Sequence, residues 1–362
     1  MKHVRTGIIG CGKVGEIHLD AHNAVAQSDL VAVCDPDQGR ADAFASRCGA
    51  KAFTDVEDML KHGEVEAVSI CTPHPLHAEP AILAAEAGVH VLVEKPMAAS
   101  LKDCDAMLAA VGRTGVKLGV VSQRRFYEPV KRMKEAIDAG KIGRPVLGLF
   151  LGFNWRDEAY YQSDPWRGKW STEGGGVLVN QSSHHLDMLQ WMMGEIDEIS
   201  GYWANVNHPF IEVDDTAVAS IRFKNGGLGS IVTSISQKPG LFMKIHVHGS
   251  NGASIGVETD RGASFIAGAS EIAEPPLNDI WTVPGEEHLL SEFEAEDRET
   301  FVNVNATTHY HALQLQDFLQ SILEDREPMV TGEEGRIVVE MFTAIYRANQ
   351  EGLPVKFPVR TE

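Results

Sequence analysis

Gly10-Cys11-Gly12-Lys13-Val14-Gly15 is the stretch on which the reading of this chain turns. It follows the apolar run 6–9 directly and opens an amphipathic segment. In such a turn the first glycine allows the tight bend, the second lets backbone approach a pyrophosphate, and the third lets helix and strand pack closely. The N–H groups of the helix start then face the negative charge. About twenty residues on, as the dinucleotide fingerprint requires, an acid closes the next apolar run: Asp35, after 29–34. Its carboxylate can accept both adenosine ribose hydroxyls and would repel a 2′-phosphate, which predicts NAD rather than NADP. Arg40 is the nearby cation that could draw the balance back toward NADP.

Outward from this motif, short apolar runs alternate with amphipathic stretches as far as residue 122. Segments 67–71, 90–93 and 117–121 read as strands. Segments 40–48, 55–61, 78–87 (stopped by Gly88) and 101–113 read as helices. Continuously apolar strands in a βαβ rhythm predict a parallel sheet covered on both faces. The texture then changes. Helices are expected at 128–139, 177–193, 309–323 and 335–349, and β-rich runs at 144–155 and 198–257, the latter broken by Asn-Gly, Pro-Gly and Gly-Ser turns. The predicted fold class is therefore α/β, with a Rossmann domain over 1–122 and an α+β domain, mostly antiparallel, over 123–362. Pro275, Pro276 and Pro284 are expected to mark a surface loop, and the acidic stretch 286–299 a solvated face.

With 362 residues, 43% of them apolar, the chain can build two cores. A formal net charge of -19 argues against nucleic acid and anionic membrane surfaces as partners. No run approaches the roughly 20 apolar residues of a membrane span, and Met1–Arg5 leads straight into a strand-like run, so a cytoplasmic protein is expected. Cys11, Cys34, Cys48, Cys71 and Cys104 form no CxxC and have no histidine at ligand spacing. Neither a disulfide nor a metal is expected.

Three further segments narrow the reading: Thr72-Pro73-His74-Pro75-Leu76-His77, Val91-Leu92-Val93-Glu94-Lys95-Pro96, and His184-His185-Leu186-Asp187. Together with the glycine motif they resemble the Gfo/Idh/MocA family, named for glucose-fructose oxidoreductase and inositol 2-dehydrogenase. The Glu-Lys-Pro segment is the most specific element, and the resemblance extends over nearly the whole chain. It implies a C-terminal domain on a large open sheet, NAD- or NADP-linked oxidation or reduction of a hydroxyl on a small polyhydroxylated compound, and homodimers or homotetramers formed through that sheet. By the same resemblance Thr72, Pro73, His74, His77, Glu94, Lys95 and Gln123 join the cofactor residues.

Lys95 draws attention without the resemblance. It ends an apolar strand, where open α/β sheets bind ligands, and a cation there can stabilise a reacting oxygen. The blander alternative is a surface lysine paired with Glu94. In the family the histidine of H-x-x-D is the general acid/base, which points to His184, with Asp187 on the same helix face. An acid often assists four residues earlier; here that position is Asn180, which cannot carry a proton. Asn180 is then expected to orient substrate, and Asn180→Asp to keep the fold while raising the acidic limb of the pH–rate profile. By the resemblance, Arg124 in the junction Gln123-Arg124-Arg125-Phe126 approaches cofactor and substrate, while Arg156, Tyr161, Trp166 and Arg167 belong to a basic and aromatic set suited to stacking on sugar faces and binding hydroxyls or carboxylates. His311 is a further substrate contact by resemblance. The expected reaction is oxidation of a ring hydroxyl of a sugar, glycoside, sugar acid or cyclitol, with Lys95 and His184 handling the proton. A non-enzymatic NAD-binding sensor and a dehydrogenase of a non-sugar substrate remain as alternatives.

Overall fold

The alternating apolar runs of the N-terminal third form six parallel strands: β1 (Val4–Ile9), β2 (Ser28–Cys34), β3 (Lys51–Phe53), β4 (Ala67–Ile70), β5 (His90–Val93) and β6 (Leu118–Val120), in the order β3-β2-β1-β4-β5-β6. This computed structural model describes residues 2–361 except 262, 263, 267, 268 and 272. Helices α1 (Lys13–Ala24), α2 (Gln38–Cys48), α3 (Val56–His62), α4 (Ala78–Glu86) and α5 (Leu101–Thr114) connect the strands. Asp37, Asp55 and Ser100 cap α2, α3 and α5 by accepting first-turn N–H groups. The strand order reverses beside β1, which lies between β2 and β4 and leads into the glycine motif. Ligands of open α/β sheets bind outside the carboxyl ends of the strands at such a switch point.

The chain divides into two units, Met1–Gln123 with Thr307–Val339, and Arg124–Ala306 with Glu340–Glu362. This differs from the expected division, which placed everything after 122 in one domain. The late helix Ala306–Glu324 contributes Leu315, Phe318 and Leu319 to a core with Val4, Ala21, Val25, Ala67, Leu92 and Val121. Each such side chain fully buried contributes about 1.5–3 kcal/mol. Gln314 of that helix accepts the Ser122 N–H and donates to the Val120 carbonyl, both at 2.9 Å, so it pins the end of β6. A Cβ at Gly119 would stand 3.0 Å from the Phe318 ring, so the strand is glycine where the helix comes closest.

The second unit starts with α6 (Glu128–Asp138) and β7 (Pro145–Phe153), then two short helices, α7 (Glu158–Gln162) and α8 (Trp170–Glu173), and a π-helical turn Val177–Gln181 that runs into α9 (Ser183–Met193). Strands β8 (Ile196–Ala204), β9 (Thr216–Phe223), β10 (Leu228–Ser234), β11 (Phe242–Gly249) and β12 (Ser254–Thr259) follow. After a two-stranded hairpin, β13 (Ser264–Ile266) and β14 (Ala269–Glu271), come β15 (Leu277–Trp281), α10 (Leu289–Val302), the late helix (α11), α12 (Gly332–Glu351) and β16 (Val355–Lys356). The eight-stranded sheet runs β15-β12-β11-β7-β10-β9-β8-β16, antiparallel except for the β7–β10 pair. Burial alternates along β9 and β11, as period-2 patterning requires. Helix α9 covers one face: a Cβ at Gly148 of β7 would lie 2.6 Å from Met193 and 2.9 Å from Leu189. Among the described residues, no helix is long and apolar enough to cross a membrane.

Three sequence expectations are revised here. The helix expected over 177–193 is a π turn followed by an α-helix. Most of the acidic stretch 286–299 is α10 rather than a merely solvated face: Phe293 packs edge-on against Trp281 and Asp297 is buried against Arg132. The proline-marked loop is interrupted by β15, which pairs with β12.

Candidate active site

In the first unit, the carboxyl ends of the parallel strands bring Gly10, Asp35, Cys71-Thr72 and Glu94-Lys95 to one edge of the sheet. The three glycines of the motif are there for different reasons. Gly10 has φ +100, and a Cβ would press to 2.8 Å on the Cys71 carbonyl carbon. A Cβ at Gly15 would lie 2.3 Å from the Gly10 carbonyl oxygen. The fold itself demands both. Gly12 is different, for a Cβ there would meet nothing within 4 Å. Protein packing gives no reason for a glycine, whereas a pyrophosphate lying against the backbone does. Gly12 also precedes Lys13 and Val14 in the first turn of α1, which has no side-chain cap.

Asp35 is buried, and each carboxylate oxygen takes one backbone N–H: Cys11 donates to Oδ2 and Asp37 to Oδ1, both at 2.9 Å. One lone pair on each oxygen remains for a ribose hydroxyl. The residues present therefore fit NAD. The Cys11 amide serves Asp35, and its side chain packs with Ile8, Leu19, Val33, Phe44 and Cys71. Burial pushes its thiol up to about 12. Arg40 is exposed in the first turn of α2. Gln123 opens a short 3-10 turn, and its buried Oε1 has no hydrogen-bond partner among the described residues, an acceptor available to a ligand amide.

The other residues expected at the cofactor have partners within the chain. His77 is fully buried, with Nδ1 2.9 Å from the Pro96 carbonyl and Nε2 2.9 Å from the Thr72 carbonyl, so it ties the two loops together. Thr72 donates its hydroxyl to the Leu76 carbonyl at 3.0 Å, and Pro73 starts the turn His74–Leu76, where His74 is buried with its ring edge-on to His77. Glu94 is buried on His18 of α1, Oε1 to Nε2 at 2.9 Å, and its Oε2 accepts the Lys95 backbone N–H at 3.0 Å. Burial opposes this carboxylate's charge, but the His18 bond, with His311 and Lys95, holds it at about 2. Burial likewise works against the His18 cation, and the adjoining Cys71 and Glu94 outweigh it, raising His18 to about 10. His311 stands with Nε2 4.0 Å from the same Glu94 oxygen and Nδ1 bonded to the Thr307 carbonyl.

In the second unit the H-x-x-D helix is fixed from below. Asp187 receives a bidentate bond from Arg125 at 2.8 and 2.5 Å, with both side chains buried and Arg125 stacked on Trp191. His185 stacks on Phe150 and bonds Thr259, which leaves it structural. His184 is buried in the first turn of α9. The π turn before it hangs on Asp214, which accepts the Gly176 N–H at 2.7 Å, the Leu178 N–H at 2.9 Å and the Tyr346 hydroxyl at 2.7 Å. A Cβ at Gly176 would collide with the Asp214 carbonyl at 1.9 Å. Such π insertions recur at functional sites.

Asn180 lies on that turn. Its amide donates to Glu173 Oε1 at 2.6 Å and to the Tyr160 hydroxyl at 3.1 Å. Glu173 is buried, takes the Gly168 N–H at 2.5 Å, and has its carboxyl pushed up by burial despite that bond, Asn180 and Arg167. Gln181 and Arg167 also donate to the Tyr160 hydroxyl. The members of the basic and aromatic set also have partners within the protein. The Arg167 guanidinium lies over the Tyr160 and Trp166 rings and bonds Asp164. Arg124 is paired bidentately with Asp260. Arg156 donates to the Trp155 carbonyl and lies over Tyr160. Tyr161 is packed edge-on against Tyr160 and near Phe210, its hydroxyl buried without a hydrogen-bond partner among the described residues.

Sequence reasoning missed His18, Glu173 and Asp214. His18 and His22 share with Gly15 and Leu19 the buried face of α1, and polar residues on a core face were the available signal. Among the described residues, no group of three His, Cys, Asp or Glu is placed to hold a metal.

Residues 4–122 match the profile described as oxidoreductase family, NAD-binding Rossmann fold, and residues 130–255 match the GFO/IDH/MocA C-terminal domain. The chain is 28% identical to the scyllo-inositol 2-dehydrogenase (NAD(+)) of Bacillus subtilis over 99% of this chain and 98% of that one. It is 32% identical to the inositol 2-dehydrogenase of Rubrobacter xylanophilus over 69% of this chain and 70% of that one. The crystal structure of the WlbA dehydrogenase from Bordetella pertussis in complex with NADH and UDP-GlcNAcA superposes with a TM-score of 0.81 at 29% identity, covering 99% of this chain and all of that one. A glycine cradle open only at Gly12, an acid placed for ribose, a lysine at a strand end and these matches agree: the chain belongs to the Gfo/Idh/MocA family of oxidoreductases.

Proposed function

We propose that this oxidoreductase uses NAD to oxidise a ring hydroxyl of a sugar, glycoside, sugar acid or cyclitol to a ketone. The observation that carries the reading is the position of Lys95, directly after β5 on the same sheet edge as the open Gly12 cradle and Asp35. Bound NAD supplies the redox chemistry by accepting the carbinol hydrogen with its electron pair. Gly12 with the first turn of α1 would hold its pyrophosphate, Asp35 its adenosine ribose, and Gln123 a donor at its other end. Lys95 hydrogen-bonds the hydroxyl oxygen and stabilises the negative charge that grows there, and His184 takes the proton. Asn180, anchored on Glu173 and Tyr160, is fixed in orientation and serves to hold substrate. The relatives named inositol and scyllo-inositol 2-dehydrogenase support a cyclitol or sugar. The test is NADH formation with a pooled set of sugars, sugar acids and inositols; turnover only with non-sugar alcohols would remove the substrate class.

Cofactor choice follows from Asp35. We expect at least about tenfold preference for NAD over NADP in kcat/KM, on the order of 1.4 kcal/mol. Asp35→Ala should weaken NAD and narrow that ratio. Because Asp35 also accepts the Cys11 N–H, NAD affinity should fall through the turn as well, which makes the ratio the informative readout. Equal use of the two cofactors by the unaltered protein would contradict this.

The eight-stranded sheet supports self-association. Leu147 and Leu228 pair in one row, and Leu151, Val232, Val218 and Tyr202 form another row on the same face, where Leu147, Leu228, Val218 and Tyr202 are exposed. The Arg222–Glu198 ion pair and the row Ser230, Ser220 and Ser200 lie on the same face, so it is mixed; its exposed apolar residues support an interface that a homodimer or homotetramer would cover. A monomeric mass by light scattering would rule this out. We place the enzyme in the cytoplasm, where it would draw on the NAD pool; recovery in a membrane or secreted fraction would contradict this.

A further inference from the structure

Two clamps hold the segment that carries Lys95. After it, the Pro96 carbonyl is bonded to His77. Before it, the Glu94 carboxylate bridges two elements: Oε2 takes the Lys95 backbone N–H at 3.0 Å, and Oε1 takes His18 Nε2 at 2.9 Å. His18 lies on α1, the helix that the glycine motif opens, five residues after Lys13 and on the same buried face as Gly15. The His18 and Glu94 side chains are 3% and 9% exposed, so little water competes for the bond. His311 completes the cluster, its ring 5.8 Å from that of His18 and edge-on to it. All of these groups belong to the first unit.

Besides Glu94, the acidic group that interacts with His18 is the buried Cys71 thiol. Of the acids on α1, Glu16 pairs with Arg47 and Asp20 is exposed. Neighbouring Cys71 is a thiol pushed up by burial. Without His18 the buried Glu94 carboxylate would lose its hydrogen-bonded partner, keeping only the attraction of His311 and Lys95, and it would turn toward other donors or take up a proton. Its hold on the Lys95 amide would loosen in either case.

We propose that His18 is a positioning residue for Lys95: through Glu94 it locks the lysine's backbone to the dinucleotide-binding helix, so that cofactor site and lysine are set by one rigid element. The inference rests on Lys95 acting as described under Proposed function. A misplacement of a reacting group by about 1 Å costs up to about 10²-fold in rate. Removing the clamp should therefore lower kcat while leaving NADH affinity in place, since Gly12 and Asp35 are untouched.

The test is a double-mutant cycle on the full-length enzyme with His18→Leu, Lys95→Met and the pair, reading kcat together with the NADH dissociation constant by fluorescence. His18→Leu should lower kcat by about 10- to 100-fold with the dissociation constant changed less than about threefold. In the Lys95→Met background the same substitution should change kcat by less than about twofold, because the group it positions is gone. Additive losses would overturn the proposal, as would a His18→Leu enzyme with unaltered kcat or with lost NADH binding. If His18→Leu shows no cooperative melt, His18→Gln, which keeps a neutral donor, is read in the same cycle. Its smaller loss should likewise vanish in the Lys95→Met background, and additivity there would again overturn the proposal. Normal turnover by Lys95→Met alone would mark the failure of the underlying functional reading instead.

Discussion

Lys95→Met and His184→Ala are each expected to lower kcat by about 10²- to 10⁴-fold while NADH binding stays within about threefold of the unaltered protein. Methionine keeps the unbranched apolar stem of lysine and removes the cation, so the loss reports the hydrogen bond and charge at the reacting oxygen rather than packing. His184→Ala removes the proton acceptor. It should also abolish the acidic limb of the pH–rate profile, because no other group in the proposed chemistry loses a proton to become active. The proposed pyrophosphate and ribose contacts, Gly12 and Asp35, are unaltered in both variants, so cofactor affinity should not follow kcat down. Steady-state kinetics with NADH fluorescence titration checks each variant. Unchanged turnover in either one would remove that residue from the mechanism.

Asn180→Asp should destabilise the protein by on the order of 3 kcal/mol at neutral pH. The sequence alone suggested a harmless substitution that would act on a neighbouring histidine. The structure gives a different result, because the Asn180 amide nitrogen lies 2.6 Å from Glu173 Oε1 inside the protein. Aspartate would replace a donor with an acceptor and set two carboxylates against each other where burial already pushes Glu173 up. The Tyr160 hydroxyl would lose a donor as well. The pair then binds a proton more tightly folded than unfolded. With such a raised folded pKa, stability is fully present below the ordinary carboxylate range, about 4, and is lost as pH rises through the folded value. The difference from the unaltered protein should therefore shrink on acidification and be largest at neutral pH. Urea denaturation at several pH values measures it. A variant equally stable at pH 7 would contradict the placement of Asn180 against Glu173.

The Rossmann half was legible because its signals are local. A glycine turn, apolar strands and capping residues fix β1 through β6 and the helices between them without reference to distant parts of the chain. The return of Ala306–Glu324 to this unit was not legible, since the apolar face of a helix does not say which sheet it will cover; Phe318 finds its place only through the missing side chain at Gly119. The same distinction runs through the site. Asp35 and Lys95 could be chosen from their positions after strands. The packing of Glu94 and His311 was not legible, for their partners include His18 and each other, 76 and 217 residues away in the chain. Arg124 and Arg167 show what spacing leaves out: Asp260 and Asp164 pair with them, and no sequence spacing marks the first of these pairs. Glu173 was hidden in plain view before Gly174-Gly175-Gly176, because only the π turn brings Asn180 against it.

The central claim is direct removal of hydrogen from a ring carbon by enzyme-bound NAD. The decisive measurement uses a cyclic polyol that is turned over, prepared with deuterium on the reacting carbon. Mass analysis of the reduced cofactor should then find the deuterium on the nicotinamide ring, with the ring ketone as product and a primary isotope effect on kcat/KM when chemistry limits the rate. Unlabelled reduced cofactor, with the deuterium released to water, would contradict the account.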